Sequence, residues 1–351
     1  MKHFLTFAGC LPVILIGLLP VASACAQSAA SKNAAVYLYK DPDRDQKLLE
    51  QARREGSLVW YTTFAPTESP QVVQAFEKKY GVKVEIWRAG ADKIVQRVIT
   101  EGRANRHTFD VVETNAPELE MLSRENLLGA FHSPYFADLP PFALPPHRMW
   151  AADRMAVYGV TYNTKLIKRE EIPKNYEGFL DPKWKGKIAV EETDGDWMSA
   201  VVQAMGNDRG TNFMRKLADM RPTVRKGHIL LAELVSAGDI PVALTGFVNT
   251  VATLKRRGAP IDWVALDPVV VRPQAIGVAK NAAHPHAALL FADFMLSPEG
   301  QALLESMGRS PVSKKINSQF SASRYAVIDP MSIPDEAEKW QRKWSDLFIT
   351  K

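Results

Sequence analysis

Apolar positions along this chain fall into short unbroken runs that alternate with stretches of helical spacing. An amphipathic stretch from Gln46 to Arg54 stops at Gly56, and Ser57 to Phe64 follows as a run of β-formers. Val72, Val73, Phe76 and Tyr80 then recur at three- and four-residue intervals behind Ser69-Pro70, which predicts a helix ending at Gly81. The same alternation continues with a strand from Val82 to Trp87, a helix from Ala91 to Thr100, a strand from Phe109 to Glu113 and a helix from Pro117 to Arg124. Strand-helix alternation of this kind predicts a parallel sheet with helices on its faces.

The proline-rich segment from Leu139 to Pro146 interrupts the pattern, and the run Met155 to Asn163 after it suits a long strand passing between two domains. Helix signals at Lys165 to Arg169 and a turn at Asp181-Pro182 lead into a second series. Its strands are predicted at Lys187 to Val190, Pro241 to Leu244 and Ile261 to Leu266. Its helices are predicted at Trp197 to Met205, Asn212 to Met220, Ile229 to Ser236 and Val248 to Arg257. Val269 to Lys280 crosses back to the first domain, and helices from Pro285 to Leu296 and from Pro298 to Met307 follow. Trp340 and Trp344, four apart, predict a terminal helix packed on one lobe.

Before the first strand, Lys2 and His3 precede the apolar run Leu11 to Val21 and the small residues Ala22, Ser23, Ala24 and Ala26. That is the order of a secretory signal, cut after Ala26, with a lipidated Cys25 as the competing outcome. Cys10 and Cys25 are the two cysteines of the 351 residues, so the exported chain has no disulfide, no thiolate metal site and no Cys nucleophile. A net charge of +5 arises from 44 basic and 39 acidic residues spread without dense blocks, which argues against nucleic acid as a partner. No Gly-x-Ser-x-Gly or His-Glu-x-x-His motif is present, so a secreted hydrolase using His228 with Asp or Glu is the weakest class considered.

Two α/β lobes joined by two extended crossings suit the trapping of a small molecule. Several segments resemble the type 2 periplasmic solute-binding proteins of ABC transporters, on the branch that includes the ferric-ion binders. The resemblance is carried by Leu58-Val-Trp-Tyr-Thr-Thr63, by the run Val72 to Val84, and by Asp110-Val-Val112. It continues in Tyr158-Gly-Val-Thr-Tyr-Asn-Thr164, Asp181-Pro-Lys-Trp-Lys-Gly-Lys-Ile188, the run Ala279 to Pro285 and the run Ala292 to Gln301. It covers nearly the whole chain after the leader. It implies two Rossmann-like lobes joined by a two-strand hinge, with lobe one from 27–155 plus 270–320, lobe two from 156–269 and a C-terminal segment from 321–351. It also implies a periplasmic, non-enzymatic monomer without a cofactor that delivers a small-molecule ligand to a membrane permease.

In such a fold the ligand meets strand ends and helix N-termini, where free N–H groups favour anions. The expected contacts are Thr62 and Thr63 after the first strand, Gly90 and Ala91 before the second helix, and Asn115, which caps a helix or meets the ligand. On the second lobe, Glu191, Glu192, Asp194 and Asp196 form a carboxylate cluster that could coordinate a hard cation or pair with a ligand ammonium group. Asp194-Gly195 reads as a turn, Asp196 as a helix cap and Glu191 as a solvated strand end, leaving Glu192, Thr193 and Trp197 for the ligand. Arg225 to His228 reads as an anion seat or a solvated loop, and His228 as a cap or a contact. Thr245 and Phe247 end a strand, Tyr158 packs or contacts, and Arg272 reaches a ligand carboxylate or a structural Asp. Trp60, Trp197 and Phe247 are expected to wall the site.

Ferric binders of this branch present adjacent tyrosines where this chain has Phe247-Val248. An anionic or zwitterionic solute is therefore the leading expectation. Ferric iron held by Glu192, His228 or Tyr61 is the alternative.

Overall fold

The computed structural model describes residues 32–350 together with Met1. The predicted signal segment lies outside the described residues. Strands are β1 (Ser57–Thr62), β2 (Lys83–Arg88), β3 (Val111–Asn115), β4 (Leu128–Gly129), β5 (Ala151–Asn163), β6 (Ile188–Glu191), β7 (Thr223–Arg225), β8 (Val242–Phe247), β9 (Ile261–Val264), β10 (Val269–Ala279), β11 (Ser310–Pro311) and β12 (Tyr325–Val327). Helices are α1 (Ala34–Tyr37), α2 (Arg44–Glu55), α3 (Ser69–Tyr80), α4 (Ala91–Arg103), α5 (Ala116–Arg124), α6 (Gly195–Met205), α7 (Asn207–Asp219), α8 (His228–Ala237), α9 (Val248–Arg256), α10 (Pro285–Leu296), α11 (Pro298–Ser306) and α12 (Ile333–Phe348).

The main path of the sheet runs β2-β1-β3-β10-β5-β8-β6-β7. β1 pairs in parallel with β2 and β3, and β6 pairs in parallel with β7 and β8. Between these two parallel groups β10 and β5 run antiparallel to each other and to their outer neighbours. The expected parallel sheet is thus parallel only at its two ends. The long crossing strands in the middle reverse direction because each carries the chain from one group to the other.

Register sets the neighbours of the site. Gln274 on β10 lies across from Asn115, Arg272 across from Ala156, Tyr158 across from Phe247, and Glu191 across from Arg225. Every position of β5 is buried, including Asp153 and Arg154. Arg154 is neutralised there by Glu113, with Nη2 to Oε1 at 2.6 Å, and by Asp153 at 3.1 Å, while its guanidinium lies 3.8 Å from the Phe64 ring centre.

One aromatic core gathers Trp60, Phe64, Phe76 and Phe291, and another gathers Tyr176, Trp197, Phe213 and Trp344. Three local differences from the sequence expectation have physical causes. The segment after Asn163 forms turns and a short 3-10 helix at Arg169–Glu171, where the Lys168 N–H is taken by the Glu171 carboxylate at 2.8 Å. α7 begins at Asn207 rather than Asn212. A Cβ at Gly210 would lie 2.5 Å from Val202 Cα, so this glycine is the contact that lets α7 close on α6. β7, three residues long, is too short to show a period. No described helix is long and apolar enough to cross a membrane.

Candidate functional site

The apolar run of β6 is buried throughout and ends in Glu191. Its carboxylate is not solvated, as expected from the sequence, but buried. Oε1 accepts from the Gly227 N–H at 2.7 Å, Oε2 accepts from the Thr193 hydroxyl at 2.7 Å, and the Glu191 N–H donates to Thr245 Oγ1 at 2.9 Å. One side chain thus ties the turn after β6, the turn before α8 and the end of β8.

Asp194, fully buried at the N-cap position of α6, accepts from the Tyr158 hydroxyl at 3.3 Å and faces His228 Nε2 at 3.3 Å through the same oxygen. His228 Nδ1 lies 2.8 Å from the Thr245 carbonyl. A carbonyl only accepts, so Nδ1 carries the proton. Burial pulls the imidazole down, but Asp194 outweighs it and leaves His228 raised above its ordinary value. Burial also drives the Tyr158 phenol well above its usual range, so it acts as a neutral donor.

Asp196 is expected to cap α6 in preference to meeting a ligand. It does accept from the Trp197 N–H at 2.7 Å, but its other oxygen holds Arg272, with Nε at 2.8 Å and a second contact from Nη2. Arg272 thus meets a structural Asp, one of its two readings, while its guanidinium also borders a cavity. The guanidinium also lies 5.6 Å from the Tyr158 ring centre and 5.9 Å from that of Phe247, within cation–π reach.

Arg272 and Asp196 border a cavity of about 520 Å³, shared with Asp92, Asn115, Glu118 and Thr193. Asn115 Nδ2 donates to Glu118 Oε1 at 2.8 Å and makes no side-chain cap bond to α5. Burial raises the Glu118 carboxyl above its ordinary value, against the lowering effects of Asn115 and Arg272. A raised folded value contributes stability that is present below the unfolded value of about 4.3 and is lost as pH rises through the folded one. Glu118→Gln keeps an acceptor for Asn115 and cannot ionise. It should match the parent's melting temperature at pH 4 and exceed it by about 1–2 °C at pH 8. Parallel curves across that range in a melting series would show that Glu118 carries no such penalty.

α12 closes the cavity from behind. Gln341 accepts from the Gly195 N–H at 3.3 Å and donates to the Glu192 carbonyl at 3.0 Å, and Trp344 Nε1 donates to the Glu191 carbonyl at 3.2 Å. A Cβ on Gly195 would stand 2.7 Å from Gln341 Cα, so only glycine admits this approach.

Several expected contacts lie elsewhere. Trp197 is fully buried against Tyr176 and Trp344, and Trp60 against Phe64 and Phe291, so neither walls the site. Thr62 is buried and donates to Glu113 at 2.6 Å, while Thr63 is half-buried beside the same carboxylate. Thr245 is buried, with its hydroxyl and carbonyl engaged by Glu191 and His228. Tyr61 donates to Glu101 at 3.0 Å and stacks on Phe109, which removes it as an iron ligand on the site side. Arg225 and Lys226 are exposed, and the N–H they would frame at Gly227 is already taken by Glu191. Gly90 is exposed and Ala91 is half-buried, next to the cavity residue Asp92. Thr193 and Asn115 do line the cavity, Glu192 is half-buried, and Tyr158, His228 and Phe247 form one aromatic cluster, with Phe247 4.0 Å from His228 and 4.8 Å from Tyr158. Sequence reasoning set Asp194 aside as a turn residue and missed Asp92, Glu118 and Gln341, which no local signal marks.

Residues 110–330 match the family model described as bacterial extracellular solute-binding protein. The chain belongs to this family. The major ferric iron-binding protein of Neisseria meningitidis serogroup B is 24% identical over 272 residues, covering 74% of this chain and 81% of the relative. Iron-bound HitA from Pseudomonas aeruginosa superposes with a TM-score of 0.69 at 22% identity, covering 83% of this chain and 99% of that one. AfuA from Actinobacillus pleuropneumoniae, a periplasmic binding protein solved with exogenous fructose-6-phosphate, gives 0.65 at 22%, covering 84% and 99%. The expected type 2 periplasmic binding fold is the fold of this solute-binding protein. Members of the family bind small ligands and work with membrane permeases.

Proposed function

We propose that this solute-binding protein captures a small zwitterionic or anionic organic solute in the cavity beside Arg272 and passes it to the permease of an ABC importer. The observation that carries the reading is a cavity of about 520 Å³ bordered by one guanidinium and by the carboxylates of Asp92, Glu118, Asp196 and Glu338. Small-molecule sites run from roughly 300 to 1,000 Å³, far more than a bare ion needs. Arg272 would take the acid end of the solute, Glu118 and Asp92 an ammonium group, and Asn115 and Thr193 the polar remainder. Residues 27–155 with 270–320 would move as one lobe and 156–269 as the other, hinged on β5 and β10, with 321–351 packed behind. The protein would act as a periplasmic monomer, released after Ala26 or tethered at Cys25.

Iron as cargo fares less well, because Tyr61 is engaged by Glu101 and Phe247-Val248 stands where ferric binders carry tyrosines. Native mass spectrometry of unrefolded protein, followed by a melting screen of amino acids, organic acids, phosphonates, amines and ferric citrate, tests the reading. One organic class should stabilise by about 2.7 kcal/mol at a hundred times its dissociation constant. Stabilisation by ferric citrate alone would replace this reading with iron transport.

A further inference from the structure

The carboxylate cluster beside the cavity holds a combination that solute capture leaves unused. Glu191, Asp194 and His228 each offer a ligand atom, and these atoms lie within 4.8 Å of one another. None of the three borders the solute cavity. We propose that they form a site for one first-row divalent cation of the zinc or manganese type.

Four observations converge on it. The His228 ring is held by its Nδ1–H on the Thr245 carbonyl, which turns Nε2 toward Asp194 Oδ1 at 3.3 Å. Metal-binding imidazoles are oriented in this way, with the far N–H on a backbone carbonyl. Asp194 is fully buried, and its Oδ2 has no hydrogen-bond partner among the described residues. A buried carboxylate oxygen without a partner costs free energy unless a donor or cation meets it.

Charge balance points the same way. Arg272 is matched by Asp196, so Glu191 and Asp194 are two buried carboxylates facing one imidazole. A divalent ion with neutral His228 balances them. Lastly, donors sharing one ion at about 2.0–2.2 Å stand roughly 3–4.4 Å apart. The 3.3 Å between Asp194 and His228 falls in that range, and Glu191, whose carboxylate also holds Gly227 and Thr193, offers a ligand atom within 4.8 Å of theirs. Two carboxylates and an imidazole suit zinc, manganese or ferrous iron rather than calcium. The ion would tie the turn after β6 to the start of α8.

Isothermal titration of the exported full-length protein, stripped with EDTA and desalted, tests the assignment with zinc chloride and manganese chloride as probes. One equivalent of at least one metal should bind with a micromolar or tighter dissociation constant. Asp194→Asn and His228→Gln should each weaken it at least tenfold. X-ray absorption on the zinc-loaded parent should show an oxygen and nitrogen shell with imidazole scattering, a readout independent of whether the variants fold. Absence of stoichiometric binding, affinity unchanged in both variants, or a shell lacking imidazole would overturn the site. Because Arg272 and the cavity carry the solute, organic-solute stabilisation should persist in EDTA, so loss of one proposal does not entail loss of the other.

Discussion

Arg272→Gln should abolish most of the stabilisation that an organic solute confers. Truncating one partner of a desolvated charge pair costs about 2–5 kcal/mol of binding, so the affinity should fall roughly 30-fold or more. The same change leaves Asp196 without its cation. A fully buried pair broken in this way loses about 3–5 kcal/mol, but here both side chains keep nearly a fifth of their surface, so the stability cost should fall below that range. The double variant Arg272→Gln with Asp196→Asn separates the two effects, since it restores the charge match without restoring the anion contact. Its melting temperature should recover most of the loss while its solute affinity stays low. Calorimetry showing affinity within threefold of the parent in Arg272→Gln would move the solute away from this guanidinium.

That Arg272 meets a structural Asp is one of two readings open from the sequence, but that the Asp is Asp196 is not legible there, and the reason is distance along the chain. The pair spans 76 residues, and Gln341 to Glu192 spans 149. Periodicity reports what a residue faces within its own element, which is why β1, α3 and the β6 run were legible. It says nothing about which distant element faces it. The family resemblance supplied the fold, because motifs such as Asp181 to Ile188 keep their order even when each is loose.

The expectations for Trp60 and Trp197 failed for a related reason. Trp197 adjoins Asp196, yet successive helical positions are turned by about 100°, so one faces Arg272 while the other enters the core. Trp60 and Tyr61 alternate across β1 in the same manner, one toward Phe291 and one toward Trp87. Carboxylates misled in the opposite direction. Glu191 reads as solvated because acidic residues seldom sit in cores unpaired, and the Gly227 N–H that compensates it lies 36 positions away.

Trp344→Ala should be the most destabilising single change among those proposed. Trp344 is fully buried, its ring lies 6.0 Å from Trp197 and 4.2 Å from Phe348, and its indole N–H holds the Glu191 carbonyl. Replacing such a side chain by Ala costs about 3–5 kcal/mol, and the abandoned carbonyl adds about 1 kcal/mol more. At roughly 2–4 °C per kcal/mol the melting temperature should drop by on the order of 10 °C. Trp344→Phe, which keeps an aromatic ring but no donor, should lose less than half of that. The turn from Glu191 to Gly195 is held from behind by this indole and by Gln341, so both variants should weaken solute binding as well as the fold. A Trp344→Ala protein melting within 2 °C of the parent in differential scanning fluorimetry would mean that α12 does not support the site, and the cavity beside Arg272 would then lack its rear wall.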